Sequence, residues 1–349
     1  MSETNQRPLR AMFANLPKID LHRHLEGSLR LSTLAELART HELDVPAHSA
    51  DGLRPHVQIV GEGGDFTDFL SKFPVLRQFY QSLAIISRVA YEAVEDAAND
   101  NVRYLELRFN PVALASARGF SLDDVTERVI AAVRKAETDF GIQVSLIVTL
   151  NRKELDLSQQ VLQTALKRMD KGIVGIDLAG DEANYPALPF ASFMHKARAA
   201  GLGITVHAGE WGGPENVRYA IEQLEADRIG HGVRVLEDAE VTNLALERGV
   251  AFEVCVTSNV QSGVVPGVRN HALRELIKRG LAATINTDDP AVSDITLTDE
   301  YVIACEQLGL SVQDVKRSIA AAAEHAFLPP DERAALAARF RRDLGLETV

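Results

Sequence analysis

Cysteine is scarce in this 349-residue chain. Cys255 and Cys305 both lie in apolar stretches, and no CxxC spacing occurs. Reduced thiols in a cytosol are the expectation, not a disulfide framework. Long apolar runs are missing as well: none approaches the roughly 20 residues a membrane helix needs. Met1 to Arg10 is polar, with no apolar export segment, so secretion is not expected. Positive charge is in deficit. The formal net charge is −12 and no basic stripe relieves it locally, so DNA or RNA would be repelled. A small neutral or cationic substrate suits such a protein better. Low-complexity segments and interdomain linkers are also absent.

What is present is the balance of a soluble protein with a large core, 46% hydrophobic and 25% charged. The length suits one α/β barrel domain over 1–349. Residues 1–15 read as a polar leader, with Leu9, Met12 and Phe13 available to dock on the body. Period-two alternation over 19–25 predicts a strand, and Ser32 is placed to cap the helix that follows. Residues 44 to about 65 read as irregular. Phe66, Phe69, Leu70 and Phe73 then recur at helical spacing. A helix over about 82–99 leads to a strand at 103–109. Ser121 opens a helix with Leu122, Val125, Val129, Val133, Ala136 and Phe140 on one face, and Gly141 closes it. Further strands are expected at 144–150, 173–178, 204–207, 228–231, 251–256 and 282–287. Helices separate them, and two or three more close the chain over about 311–349.

Eight strands alternating with amphipathic helices imply parallel pairing through right-handed crossovers. An open doubly wound sheet and a closed (β/α)₈ TIM barrel both satisfy that pattern. The barrel is preferred because chemically reactive residues recur at strand C-terminal ends. His22 and His24 end the first strand, His207 the fifth, His231 the sixth, and Asp288 and Asp289 the eighth. Closure brings these ends to one face, and a sheet would spread them out. The insert at about 44–82 is then expected over the mouth as a helical lid.

His22-Arg-His24 puts two imidazoles on one side of a strand, about 6.6 Å apart along it. An isolated His-x-His is as often a satisfied pair as a metal site. Here an apolar strand flanks it, and His207 supplies a third nitrogen. Adjacent carboxylates at Asp288 and Asp289 repel, so they need a cation or different surroundings. Asp288 joins the ligands in this reading, and Asp289 is left to hydrogen-bond. Glu210 follows His207 past a glycine, close enough to work beside the metal without ligating it; a helix-start carboxylate is its plainer alternative. His231 lies between two glycines that allow another group to approach. Three histidines, one aspartate and a water make a Zn²⁺-type site, one per chain. That by itself gives a hydrolase of unspecified substrate.

The segments Leu21-His-Arg-His-Leu-Glu-Gly27, Asp177-Leu-Ala-Gly-Asp-Glu182, Val206-His-Ala-Gly-Glu210, Arg228-Ile-Gly-His-Gly232, Phe252-Glu-Val-Cys-Val-Thr-Ser-Asn259 and Asn286-Thr-Asp-Asp-Pro290 occur in that order. Together the six resemble the adenosine deaminases of the amidohydrolase superfamily, and they span most of the chain. The resemblance implies zinc on His22, His24, His207 and Asp288. It implies that Glu210 protonates purine N1, that His231 orients the attacking hydroxide, and that Asp289 contacts the hydroxide and N7. The Gly180 N–H would meet N3. Phe66, Phe69, Leu70 and Phe73 would form a gate over the nucleoside, although an ordinary core-facing helix gives the same stripe. Glu253 and Asp177 are candidates to support the metal ligands.

Glu26 departs from the Asp that this family's nucleoside deaminases commonly use for the ribose 5′-hydroxyl. Related adenine deaminases often carry Glu. Adenosine and 2′-deoxyadenosine are the expected substrates; free adenine, or a 5′-modified adenosine such as aminodeoxyfutalosine, is the alternative. A different metal-dependent amidohydrolase and a non-catalytic purine binder are the rival readings. Monomer and homodimer are both compatible with the sequence.

Overall fold

The computed structural model describes residues 3–61 and 64–346, with the side chains from residue 8 onward. Eight strands form one parallel sheet in sequential order. They are β1 (Lys18–His24), β2 (Val102–Phe109), β3 (Gln143–Asn151), β4 (Ile173–Ala179), β5 (Gly203–Ala208), β6 (Arg228–His231), β7 (Ala251–Val254) and β8 (Ala282–Ile285). Helices cover the outside, giving the (β/α)₈ barrel expected from the alternation. No helix among the described residues is long and apolar enough to cross a membrane.

The crossovers follow their local signals. In Leu122–Phe140, Ser121 Oγ accepts the Asp124 N–H, and Gly141 leaves the helix at φ +65°. Val125, Val129, Val133 and Ala136 are buried along one face. Pro330 opens the last helix, Pro330–Asp343, where its missing N–H costs nothing.

One local expectation is sharpened and two are corrected. The leader forms a helix, Glu3–Asn15, and Phe13 packs edge-on against Tyr301 at 5.7 Å. Ser32 is not the cap: Leu31–Thr40 starts two residues earlier than such a cap implies, with Arg30 at the cap position. Within the stretch expected to be irregular, Ala50–Val57 is helical. There Ser49 accepts the Gly52 N–H, and Leu53 and Val57 are buried, so tertiary packing overrides the poor propensity of Gly52 and Pro55.

Closure between β8 and β1 positions the site. Strand β8 ends at Ile285, earlier than its apolar run suggests. The next residues are tied to β1 individually. Asn286 Oδ1 accepts the Leu21 N–H, and Thr287 Oγ donates to Asp20. Asp288 then bridges the backbone: its N–H donates to the His22 carbonyl, and its carbonyl accepts the His24 N–H, both at 2.8 Å. The aspartate is thus locked beside the two histidines.

Candidate active site

Four donors from three parts of the chain meet at the C-terminal face of the barrel. Ligand atoms of His22, His24, His207 and Asp288 lie within 4.8 Å of one another. Asp288 Oδ1 stands 3.3 Å from His22 Nε2 and 3.4 Å from His24 Nε2. His24 Nε2 and His207 Nε2 are 3.3 Å apart. Ligands about 2.0–2.1 Å from a tetrahedral ion stand roughly 3.4 Å apart, so the cluster has the size of a site for a dication such as Zn²⁺. The buried His22 Nε2 has no hydrogen-bond partner among the described residues, an orphan that a metal would satisfy.

The supporting shell fits a metal as well. His22 Nδ1 is 2.7 Å from Glu253 Oε2, and His207 Nδ1 is 3.0 Å from Asp177 Oδ1. Each carboxylate accepts from Nδ1 and so leaves Nε2 free to ligate. Arg108 is buried between these two carboxylates. It donates to Glu253 at 2.7 Å and lies 3.5 Å from Asp177. Arg228 bonds the other Glu253 oxygen and also Glu106. Burial disfavours a charge on Glu253, yet Arg108 and Arg228 hold its carboxyl well below the usual range.

The adjacent aspartates are separated by their surroundings. Burial works against ionised Asp288, but the close imidazoles of His22, His231 and His24 hold it far below its ordinary pKa. Ser258 Oγ donates to its second oxygen at 2.6 Å. Burial, then the Asp288 and Glu26 charges, push Asp289 far up. Asp289 Oδ1 is buried without a partner among the described residues. Asp288 (φ +61°) and His231 (φ +60°) both have left-handed backbones, strain characteristic of functional positions.

Glu210 sits against the cluster without joining it. Its carboxyl is pushed well up by burial, then by the charges of Asp288 and Glu182. Glu182 positions it. One Glu182 oxygen accepts the N–H groups of Glu210, Trp211 and Gly212, and the other accepts that of Gly209. Sequence reasoning gave Glu182 no role, because its partners lie 27–30 residues downstream. Gly27 was missed for a similar reason. A β-carbon there would stand 1.8 Å from Asp289 Oδ1. The glycine at 230 accommodates the metal cluster itself: a β-carbon would come within 3.0–3.2 Å of His22 and His207.

A cavity of about 250 Å³ opens from this cluster. Glu210, His231, Asp288, Asp289 and Gly180 are among its lining residues. Phe69, Leu70 and Phe73 from helix Phe66–Arg77 cover it. Phe66 is not in the lining; its ring packs on Trp211 at 5.6 Å. Glu26 lines the cavity as well. Its Oε1 accepts the Asn110 N–H at 2.6 Å, and its buried Oε2 has no partner among the described residues. Burial pushes this carboxyl up to about 7.

The family model described as adenosine deaminase matches residues 17–342. An adenosine deaminase of Klebsiella pneumoniae is 40% identical over 326 residues, which cover 93% of this chain and 98% of that protein. Among solved structures, an adenine deaminase from Arthrobacter aurescens superposes with a TM-score of 0.86 at 28% identity, covering 94% of this chain and 98% of that one. An amidohydrolase from Burkholderia ambifaria, with bound Zn, gives 0.87 at 27%, covering 99% and 94%. Motif order, fold and near-complete coverage agree: the chain belongs to the adenosine deaminase family.

Proposed function

We propose that the protein hydrolyses adenosine and 2′-deoxyadenosine to inosine and deoxyinosine, releasing ammonia, with one Zn²⁺ held by His22, His24, His207 and Asp288. The observation that carries this is the placing, in one small cavity, of Glu210 beside the His22, His24, His207 and Asp288 cluster, where burial pushes the Glu210 carboxyl up and the imidazoles hold Asp288 down. The metal, when bound, lowers the pKa of water to about 7 and makes hydroxide available at neutral pH. Addition of oxygen at C6 drives negative charge onto N1, and Glu210 delivers its proton there. His231 orients the attacking oxygen, and Asp289 holds that oxygen and N7. The Gly180 N–H meets N3. The adduct's hydroxyl proton passes to the C6 amino nitrogen, the C6–N bond breaks as C6=O forms, and ammonia leaves. Phe69, Leu70 and Phe73 act as an apolar lid that excludes water, and Phe66 anchors that helix on Trp211. All four metal donors come from one chain. The two free cysteines fit a cytoplasmic setting.

Glu26 Oε2 receives the ribose 5′-hydroxyl in this reading. The alternative, free adenine as substrate, draws on Glu26 itself and on the Arthrobacter neighbour named as an adenine deaminase. A panel of adenine, adenosine, deoxyadenosine and 5′-modified adenosines separates them by ultraviolet change and ammonia release. Adenosine and deoxyadenosine are expected to turn over best. Glu26→Ala is expected to weaken kcat/KM for adenosine about 10-fold to 100-fold, the worth of a hydrogen bond to a charged group. Turnover of adenine alone would defeat the nucleoside assignment. Zinc content after gentle purification tests the metal.

Gly27→Ala supplies a second check. Overpacking against Asp289 is expected to cost about 1–3 kcal/mol of stability. Displacing that carboxyl is expected to cut turnover about 10²-fold. Unchanged kinetics with a lowered melting temperature would remove Asp289 from the reaction.

A further inference from the structure

His231 ends β6 with its ring among the metal-site imidazoles, 4.9 Å from His22 and 5.1 Å from His207 between centroids. Its Nε2 faces Glu210 Oε2 at 3.7 Å and Asp288 Oδ2 at 3.9 Å. Its Nδ1 points away, to the side-chain amide of Asn259 at 3.0 Å. Asn259 meets His271 Nε2 at 3.1 Å, and His271 Nδ1 meets the main-chain N of Leu273 at 3.0 Å. All three side chains are buried.

The direction of every bond in this chain follows from its far end. Leu273 begins the helix Leu273–Lys278, so its N–H has no partner inside that helix. A main-chain N–H can only donate. His271 Nδ1 must accept, which places the His271 proton on Nε2. That N–H needs an acceptor, so the Asn259 atom facing it is the amide oxygen. The remaining Asn259 atom is the NH₂ group, and it donates to His231 Nδ1. The result does not depend on how the amide was oriented at the outset. Burial pushes the His271 pKa down to about 3, which keeps that ring neutral.

We infer that Asn259 and His271 are positioning residues: they relay the polarity of the Leu273 amide to His231 and lock its proton on Nε2, facing the cavity. On the deamination reading, which this inference deepens, His231 works as a hydrogen-bond donor to the attacking oxygen. It is not the base that removes a proton, because its one lone pair is engaged by Asn259. A donor aimed at developing charge contributes about 10²–10³-fold in rate.

The test is ¹⁵N NMR of the zinc-loaded full-length protein labelled at histidine ring nitrogens, with His231→Gln assigning the resonance. Wild type is expected to show His231 protonated at Nε2 and bare at Nδ1. In Asn259→Asp the carboxylate can only accept, so the proton should appear on Nδ1. Turnover should then fall about 10²-fold, with KM within about threefold and zinc content unchanged. His271→Gln retains an acceptor for Leu273 and a donor for Asn259, so it should keep the Nε2–H form and most of the turnover. His271→Leu should lose both. A wild-type spectrum with Nδ1–H overturns the inference, whether or not the variants fold. So does an Asn259→Asp protein that stays protonated at Nε2. An Nε2–H wild type that deaminates no adenosine would uphold the relay and defeat the proposed reaction.

Discussion

Glu210→Gln is expected to lower kcat for adenosine by about 10³-fold while leaving the bound metal in place. Glutamine keeps the size and can hydrogen-bond N1, but it has no proton of suitable acidity to give. Glu210 is buried and lies outside the cluster of four ligand atoms, so its loss should spare metal binding. Its backbone is held through the Glu182 carboxylate, which the substitution does not touch. Steady-state kinetics with metal analysis of the same sample decide the matter. Loss of the metal would make Glu210 a ligand, and retention of full activity would require another acid.

The second large effect is expected at Arg108, which touches no substrate. Arg108→Met should lower the melting temperature by about 10 °C, because it leaves Glu253 and Asp177 buried with less compensation; breaking a buried pair from one side costs about 3–5 kcal/mol. It should also weaken metal affinity about 10-fold to 100-fold, the usual effect of disturbing groups that orient ligands. The reason is geometric. Glu253 holds His22, Asp177 holds His207, and Arg108 is the cation that lies against both. Arg108→Lys retains the charge without the fork and should recover part of the stability. Thermal unfolding with and without chelator, together with competition against a metal indicator, measures both quantities. Unchanged affinity in a destabilised Arg108→Met protein would reduce Arg108 to a purely structural role.

These two residues differ in how far the sequence exposes them. Glu210 follows His207 at a strand end, and its company marks it. Arg108 ends an apolar strand, and nothing near it in sequence names its partners, which lie 69 and 145 residues away at Asp177 and Glu253. Glu182 and Asn259 were hidden in the same way. Each works through hydrogen bonds to residues remote in the chain, and a single sequence carries no record of such pairings. The helix at Ala50–Val57 was hidden for a different reason: Gly52 and Pro55 disfavour it locally, and burial of Leu53 and Val57 outweighs them.

The opposite case is the metal cluster. Strand periodicity places His22 and His24 on one side of β1 whatever the rest of the chain does. Helix-separated strands require parallel pairing, and residues at the C-terminal ends of parallel strands share one face. The sequence by itself therefore determined the parallel β/α alternation and the sharing of one face by His22, His24, His207, His231, Asp288 and Asp289, from which the barrel is preferred over an open sheet. That Asp288 ligates and Asp289 hydrogen-bonds is already expected from the sequence; the tertiary structure alone decided in which direction each carboxyl's pKa moves. Seam bonds from Asp288 to β1 hold that carboxylate among the histidines, while Asp289 meets Gly27 and is buried beside the Asp288 and Glu26 carboxylates. Charge state depends on distance and burial in three dimensions, and neighbouring positions in a chain fix neither.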